Sequence, residues 1–250
     1  MAATSLGKTF LPASWHERLQ ADRFPINDFV RRRLMPLLAS GTKLLDAGSG
    51  RLQEQHLRAE LIATGAALET LDFLAGEGVD HVADVADTGL PAQAYEAILC
   101  MQVLEHVPDA SAVCRELFRL SKPGGHVVVT APQSAWLHNL PYHYGHFTNI
   151  GMRKMLEESG FEVIALEPQG GHFATMAVMN HYTCRVMDGI MERRGNPGWY
   201  AVPRLAMRLW LGFVRKGIYL WLDKLFPWED NTQGWNALCR RPMSGGEPQH

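Results

Sequence analysis

The stretch "TKLLDAGSG" at residues 42–50 decides the fold. Its apolar residues predict a buried β-strand, and Gly48 and Gly50 follow directly, before a predicted helix over 52–64. Glycines in such a turn let backbone N–H groups come close to a ligand. The pattern therefore predicts a nucleotide-like ligand at the turn between a first strand and a first helix.

The third position of the turn helps to separate two kinds of cofactor. Gln53 stands where a dinucleotide-binding turn has a small residue, and the lysine of a phosphate-binding P-loop is missing. Asp72, 22 residues after Gly50, ends the second predicted strand and is suited to bind ribose hydroxyls. A ligand without a pyrophosphate fits this turn better, although a nicotinamide-dependent oxidoreductase stays the alternative.

Outward from this turn, apolar runs alternate with segments of helical periodicity. Strands are predicted at 42–48, 67–72, 79–85, 95–102, 126–132, 161–168 and 233–242, and helices at 26–38, 52–64, 110–121 and 149–160. Pro36 is expected to kink or end the first helix. Alternation of this kind implies a mostly parallel, seven-stranded sheet covered by helices on both faces.

Composition and charge exclude several classes of protein. The formal net charge of −2 argues against electrostatic binding of nucleic acid. The four cysteines form no CxxC pair, which argues against a zinc ribbon or a disulfide framework. The first residues lack the basic start and apolar core of a secretory leader, and no apolar run is long enough to span a membrane. We therefore expect a cytoplasmic protein.

Six segments, in this order, resemble the class I S-adenosylmethionine-dependent methyltransferases. They are "LLDAGSG" (44–50), "LETLD" (68–72), "VADVAD" (82–87), "LEHVPD" (104–109), "RELFRLSKPGG" (115–125) and "SGFEV" (159–163). The resemblance implies an α/β, Rossmann-like fold and S-adenosyl-L-methionine as cofactor. The chain is then expected to comprise an N-terminal helical segment (1–40), the α/β core (41–170), a helical insertion (171–230), the final core strand (231–243) and a flexible tail (244–250).

The resemblance also implies a cofactor site at the ends of the first four strands. Its expected members are Asp46, Gly48, Ser49, Gly50, Asp72, Phe73, Asp84, Val85, Met101 and Gln102. Of these, Asp72 would bind the ribose hydroxyls and Phe73 would pack on the adenine ring, while Asp84 would accept a hydrogen bond from the adenine amine.

The stretch "CMQVLEHVPD" at 100–109 is the best candidate for the acceptor side. It resembles a segment of the ubiquinone-pathway O-methyltransferases, in which two glutamates and a histidine are thought to hold a metal. Glu105 and His106 match that segment, but Gln102 replaces the first glutamate, so we predict no metal. His106 is expected to act as acid/base or to orient the acceptor; the alternative is that Glu105 and His106 only fix the loop.

A histidine-rich stretch, "HNLPYHYGHFTNIG" at 138–151, follows the fifth predicted strand. His143 or Tyr144 is expected to line the acceptor pocket. The His143–His146 spacing is found in metal sites, but without a third ligand of known geometry it does not predict one.

The helical insertion is unusually apolar around residues 200–226. As one continuous helix it would place Arg204, Arg208 and Arg215 on a narrow stripe, with Trp210 and Trp221 among the apolar residues elsewhere. A helix this apolar must be covered. The candidates are burial as a lid, contact in a homodimer, and peripheral contact with a membrane, where Trp, Arg and Lys suit the headgroup layer.

These observations predict an S-adenosylmethionine-dependent methyltransferase acting on a small-molecule or lipid-linked acceptor, at oxygen. Two alternatives stay open. One is the nicotinamide-dependent oxidoreductase. The other is a non-catalytic cofactor-binding or scaffolding module, which would keep the glycine turn without transferring a group.

Overall fold

The structure, a computed structural model, describes residues 23–48 and 55–243. The predictions for Ser49, Gly50 and the flexible tail lie outside the described residues. The described chain forms two compact units. One contains residues 27–169 and 232–243, and the other contains residues 170–231 with 23–26.

The first unit is built on a seven-stranded sheet with the order β3-β2-β1-β4-β5-β7-β6. The strands are β1 (Lys43–Ala47), β2 (Ala67–Asp72), β3 (His81–Val82), β4 (Tyr95–Met101), β5 (Ser121–Pro132), β6 (Glu162–Pro168) and β7 (Gly234–Arg240). All neighbours pair in parallel except β7, which runs antiparallel to both β5 and β6. The predicted fold class, a mostly parallel seven-stranded sheet, is confirmed.

Helices cover both faces of this sheet. They are α1 (Phe24–Arg33), α2 (Gln55–Ala63), α3 (Ala110–Leu120) and α4 (Asn149–Glu158). One core cluster contains α3 and α4 residues such as Leu117 and Met152, and a second contains α1 and α2 residues such as Phe29 and Leu57. Because both faces are covered, the central strand β4 is apolar almost throughout, with Ile98 fully buried.

Several boundaries differ from the sequence prediction. α1 ends at Arg33, and Pro36 lies in a short 3-10 helix, Met35–Leu37, rather than in the same helix. β3 is only two residues long, because the chain turns at Asp84, whose Oδ1 accepts a hydrogen bond from Ala86 N–H. The fifth strand starts at Ser121, five residues earlier than predicted.

The second unit is helical. It contains α5 (His172–Arg193), a 3-10 helix (Gly198–Tyr200), α6 (Ala201–Leu209), a π-helical segment (Trp210–Val214) and α7 (Arg215–Leu225). Asp223 of α7 accepts hydrogen bonds from Gly171 N–H and Ala174 N–H at the start of α5. No helix within the described residues combines the length and the apolar character needed to cross a membrane.

The predicted arginine stripe is wrong. Arg204 and Arg208 do share a face of α6, and both bind Asp188 of α5, at 2.9 and 2.5 Å. Arg215, however, begins α7 after the π-helical segment and stacks on Tyr219 of its own helix. The π-helical segment interrupts the regular helical repeat that the prediction assumed, so one continuous wheel does not describe these residues.

The apolar side of the second unit is exposed rather than covered by the described chain. On α6 this side carries Val202, Leu205 and Leu209, spaced as one helical face. Around α7 the exposed residues with the same spacing are Val214, Ile218, Trp221 and Leu225. Asp223, which binds the start of α5, lies on the side of α7 opposite to these exposed residues. The apolar face therefore points away from α5.

Candidate active site

Three strand ends meet at one edge of the sheet. The register pairs Ala47 of β1 with Leu71 of β2, and Asp46 with Leu99 of β4. Continued along the strands, this register places Gly48, Asp72 and Met101 side by side at the carboxyl edge. Ligands of open α/β sheets bind at this edge.

Gly48 leaves β1 in a conformation that favours glycine. Its φ is +80°, and its N–H donates to Leu71 O at 2.8 Å. A Cβ at this position would lie 2.3 Å from Val103 Cγ2, which is closer than two carbons can approach. Glycine is thus required both for the backbone conformation and for the space beside the loop after β4.

Asp46 has a structural partner next to this edge. The side chain is buried, and Arg58 Nη2 of α2 lies 3.1 Å from Asp46 Oδ2. The ion pair ties the end of β1 to the first helix after the glycine turn. Its predicted contact with the methionine part of the cofactor remains a prediction.

The end of β2 presents an acid and an aromatic ring together. Asp72 Oδ1 accepts a hydrogen bond from Leu74 N–H at 2.9 Å, which turns the chain. Phe73, between them, is 73% exposed. Asp84 is also exposed, and the adjacent Val85 packs into the core. A carboxylate beside an exposed ring suits a nucleoside, with hydroxyls for the acid and a base for the ring, so these residues fit S-adenosyl-L-methionine.

Gln102, directly after β4, has an unusual backbone. Its φ is +56°, a region that non-glycine residues seldom adopt and that is concentrated at functional sites. Its N–H donates to Thr130 O at 3.0 Å, and its Nε2 lies 3.2 Å from Thr130 Oγ1. Gln102 is thereby joined to the end of β5.

A histidine cluster lies beyond these strand ends. His106 ends a short 3-10 helix, Leu104–His106, and the loop after β5 brings His138 and His143 next to it. The ring centroids lie 4.8 Å apart for His106 and His138, 5.4 Å for His106 and His143, and 4.7 Å for His138 and His143. His146 extends the cluster, with its Nε2 3.0 Å from His143 Nε2.

Backbone carbonyls determine which ring nitrogens carry a proton. His106 Nδ1 lies 2.6 Å from Tyr142 O, and His138 Nδ1 lies 3.0 Å from Trp136 O. Since a carbonyl only accepts, each Nδ1 must be the protonated nitrogen, and each Nε2 of the neutral rings keeps its lone pair.

Burial favours the uncharged form of two rings in the cluster, those of His106 and His143. It lowers the pKa of His106, with a smaller contribution from His138, while the hydrogen bond to Tyr142 O acts in the opposite direction. The pKa of His143 is lowered first by burial and then by its histidine neighbours. The neutral form is therefore favoured near pH 7 in both rings.

The other two residues predicted for the acceptor side are placed differently. Tyr144 N–H donates to Glu105 O at 2.7 Å, and its side chain is 52% exposed. Glu105 is 1% exposed, with its Oε1 3.8 Å from His106 Nε2. The structure thus brings His106 and His143 together, while Tyr144 contributes its backbone to the same loop.

Sequence reasoning missed His138 as a partner of His106. The two residues are 32 positions apart, and only the fold of the loop after β5 makes them neighbours. A usable signal was present in the density of histidines over 138–146, placed after a strand that pairs with β4.

A cleft elsewhere in the first unit does not belong to this site. Among its lining residues are Thr42, Glu96 and Lys122, which lie at the amino ends of β1, β4 and β5. This is the opposite edge of the sheet from Gly48 and Asp72.

The sheet order is that of the class I S-adenosylmethionine-dependent methyltransferases. The chain belongs to the methyltransferase domain family, whose model matches residues 19–166. S-adenosyl-L-methionine is the cofactor of this class, and one structural neighbour, a phosphoethanolamine N-methyltransferase 2 from Haemonchus contortus, was crystallised in complex with it.

Curated relatives share part of the chain. A ubiquinone biosynthesis O-methyltransferase from Proteus mirabilis is 34% identical over 113 residues, which are 38% of this chain and 45% of that protein. The enzyme of the same name from Vibrio atlanticus is 30% identical over 150 residues, covering 53% of this chain and 55% of the relative. The chain spans about half the length of the curated relatives it matches.

Solved structures resemble the fold over most of the chain. The [4+2]-cyclase SpnF superposes with a TM-score of 0.56 at 18% identity, covering 88% of this chain and 80% of that one. A putative sarcosine dimethylglycine methyltransferase from Galdieria sulphuraria gives a TM-score of 0.55 at 12% identity. The match covers 90% of this chain and 86% of that one. At these identities the likeness concerns the fold alone.

Proposed function

We propose that the chain transfers a methyl group from S-adenosyl-L-methionine to an oxygen of a small-molecule or lipid-linked acceptor. The observation that carries the proposal is the position of the histidine cluster. It lies beyond the carboxyl ends of β4 and β5, next to the strand ends that carry Gly48 and Met101.

The chemistry required of the protein is modest. The cofactor supplies a methyl group already activated by its positive sulfur, so the chain must align the acceptor and exclude water. An acceptor hydroxyl must also lose its proton. His106 Nε2 holds a lone pair, and Tyr142 O fixes the ring through Nδ1. The acceptor proton is proposed to pass to this nitrogen as the new carbon–oxygen bond forms.

Oxygen as the receiving atom is supported by the curated relatives, which are named O-methyltransferases. The segment that carries Glu105 and His106 is the one that resembles that group. The fold alone does not determine the reaction, since SpnF is a cyclase with a similar structure. A methyl-transfer assay is therefore the necessary test.

A lipid-linked acceptor is supported by the exposed apolar face of the second unit. Four tryptophans of this unit, Trp199, Trp210, Trp221 and Trp228, are each more than half exposed. Tryptophan is enriched at membrane interfaces because its ring is amphipathic. The relatives are named for ubiquinone, a quinone with an isoprenoid tail, which is a lipid-linked molecule.

The direct test is transfer of a labelled methyl group to a panel of acceptors. The panel contains catechols with and without an isoprenoid tail, carboxylic acids and amines. We expect label on the catechols and a product stable to base, as an aryl ether is. Label on amines alone would contradict methylation at oxygen, and tighter binding of NADH than of S-adenosylhomocysteine would favour the oxidoreductase alternative.

A matched pair of variants tests the role of His106. His106→Ala is expected to lower turnover by about 10²-fold or more, with little change in S-adenosylhomocysteine affinity. His56→Ala removes an exposed histidine of α2 and should leave both unchanged. Near-normal turnover in His106→Ala would show that alignment alone suffices.

A further inference from the structure

We propose that His106, His138 and His143 form a binding site for one divalent transition-metal ion of the Zn²⁺ type. Each residue offers a ring nitrogen, and the three nitrogens lie within 4.8 Å of one another. The binding of the ion stands independently of methyl transfer; only its catalytic role rests on the proposed function.

The separation of the nitrogens is near what a metal requires. With bonds of about 2.0–2.1 Å, a tetrahedral ion holds its ligand nitrogens about 3.3–3.4 Å apart. The largest separation here exceeds this by at most roughly 1.4 Å. Two of the three ligands belong to the same loop after β5, and all three rings are half-buried, so small ring rotations can close the gap.

The surroundings of two ligands resemble the outer shell of a metal site. Tyr142 O and Trp136 O bind Nδ1 of His106 and of His138. A metal-bound histidine almost always donates its other nitrogen's proton in this way, which orients the ring and leaves the opposite nitrogen for the ion. The loop after β5 thus provides two of the ligands, His138 and His143, and the carbonyls that orient His106 and His138.

The set of ligands decides the type of ion. Three neutral imidazoles suit Zn²⁺, Co²⁺ or Ni²⁺, whereas Mg²⁺ prefers carboxylate oxygens and water. Gln102, where the similar O-methyltransferase segment has a glutamate, points its amide towards Thr130. The site inferred here therefore differs in its ligands from a glutamate-based site. It also departs from the sequence-based prediction of no metal.

A three-histidine site leaves a coordination position open. An acceptor oxygen bound there would lose its proton more readily, because the ion lowers its pKa. His106 Nε2 would then be a ligand rather than the proton acceptor. The two roles exclude each other, and metal-free protein distinguishes them.

The site is tested by metal binding, without acceptor or methyl donor. The protein is freed of metal with a chelator and titrated with Zn²⁺ by calorimetry and with Co²⁺ by visible absorption. We expect one ion per chain and the intense visible bands of tetrahedral Co²⁺. His138→Ala and His143→Ala should each weaken Zn²⁺ binding by about 100-fold or more, while His56→Ala should bind like wild type.

Far-ultraviolet circular dichroism and S-adenosylhomocysteine binding confirm that each variant is folded. Absence of the Co²⁺ bands, or equal Zn²⁺ affinity in wild type and both ligand variants, would overturn the proposal. Failure of the methyl-transfer assay would not, because these measurements do not use it. Conversely, a metal-free protein with full turnover would leave the proposed function intact and place the ion outside the reaction.

Discussion

At the scale of single residues, Gly48 combines two constraints that can be separated experimentally. Gly48→Ala would suffer both an unfavourable φ of +80° and a Cβ 2.3 Å from Val103 Cγ2. Gly41→Ala has a φ of +83° but no atom within 4 Å of its Cβ. We expect Gly41→Ala to cost about 1–2 kcal/mol of unfolding free energy, from the backbone alone.

Gly48→Ala should cost more than Gly41→Ala in urea unfolding, and the excess should fall when Val103→Ala is added. Equal costs in the two single variants would show that Val103 moves aside freely and that only the backbone conformation matters.

Asp72 is the residue on which the placement of the cofactor depends most. Asp72→Ala is expected to remove charge-assisted hydrogen bonds to the ribose worth about 1.5–3 kcal/mol each. S-adenosylhomocysteine affinity should therefore fall by roughly 10-fold or more in calorimetry. Glu158→Ala, an exposed acid at the end of α4, is the matched control. Unchanged affinity in a folded Asp72→Ala variant would reject this position for the ribose.

At the scale of elements, Glu69 of β2 joins four neighbouring strands. Its carboxylate lies 2.9 Å from Lys43 Nζ of β1, 2.9 Å from His81 Nε2 of β3 and 2.7 Å from Tyr95 Oη of β4. Burial alone would raise the pKa of Glu69, but the hydrogen bonds, first that of Lys43, outweigh it and lower the pKa from 4.5 to about 2.

A pH dependence follows, with a definite sign. Because the pKa of Glu69 is lower in the folded protein, its stabilisation is present above about pH 4.5 and is lost as the pH falls towards 2. Glu69→Gln should be less stable than wild type near pH 6, and this difference should shrink in acid. Urea unfolding midpoints of wild type and Glu69→Gln, measured from pH 6 to acid, check this prediction. A stability difference that stays constant over this range would contradict it.

The sequence predicted the order of elements better than their lengths or their contacts. The alternation of apolar runs was informative because a sheet covered on both faces requires fully apolar strands such as β4. The two-residue length of β3 depends on a turn at Asp84 that periodicity does not show. The approach of His138 to His106 depends on a loop whose sequence has no regular apolar periodicity. The phase of α7 was mispredicted because the π-helical segment carries no simple sequence signal.

At the scale of the whole molecule, the exposed apolar face of the second unit predicts binding to lipid surfaces. Wild type should sediment with anionic vesicles, and the Trp210→Ser/Trp221→Ser variant should not. Ile150→Ser, which removes a highly exposed apolar residue of α4, should sediment like wild type. Since Arg204 and Arg208 are paired with Asp188, we expect salt to weaken binding only modestly.

Two outcomes would count against this prediction. Wild-type protein that stays in the supernatant at low salt, with both anionic and zwitterionic vesicles, would end the membrane hypothesis. If size-exclusion chromatography then shows a dimer that the double-tryptophan variant dissociates, a second copy of the chain covers the face instead.

The position of β7 between β5 and β6 has a consequence for synthesis of the chain. β6 pairs only with β7 among the described strands, yet β7 begins 66 residues after β6 ends, at Gly234 after Pro168. At about 5–20 residues per second, a ribosome needs roughly 3–13 s to make that interval. During this time one edge of β5 and the whole of β6 lack their partner. The nascent chain therefore presents unpaired strand edges to its neighbours until almost the last residue of the sheet has been translated.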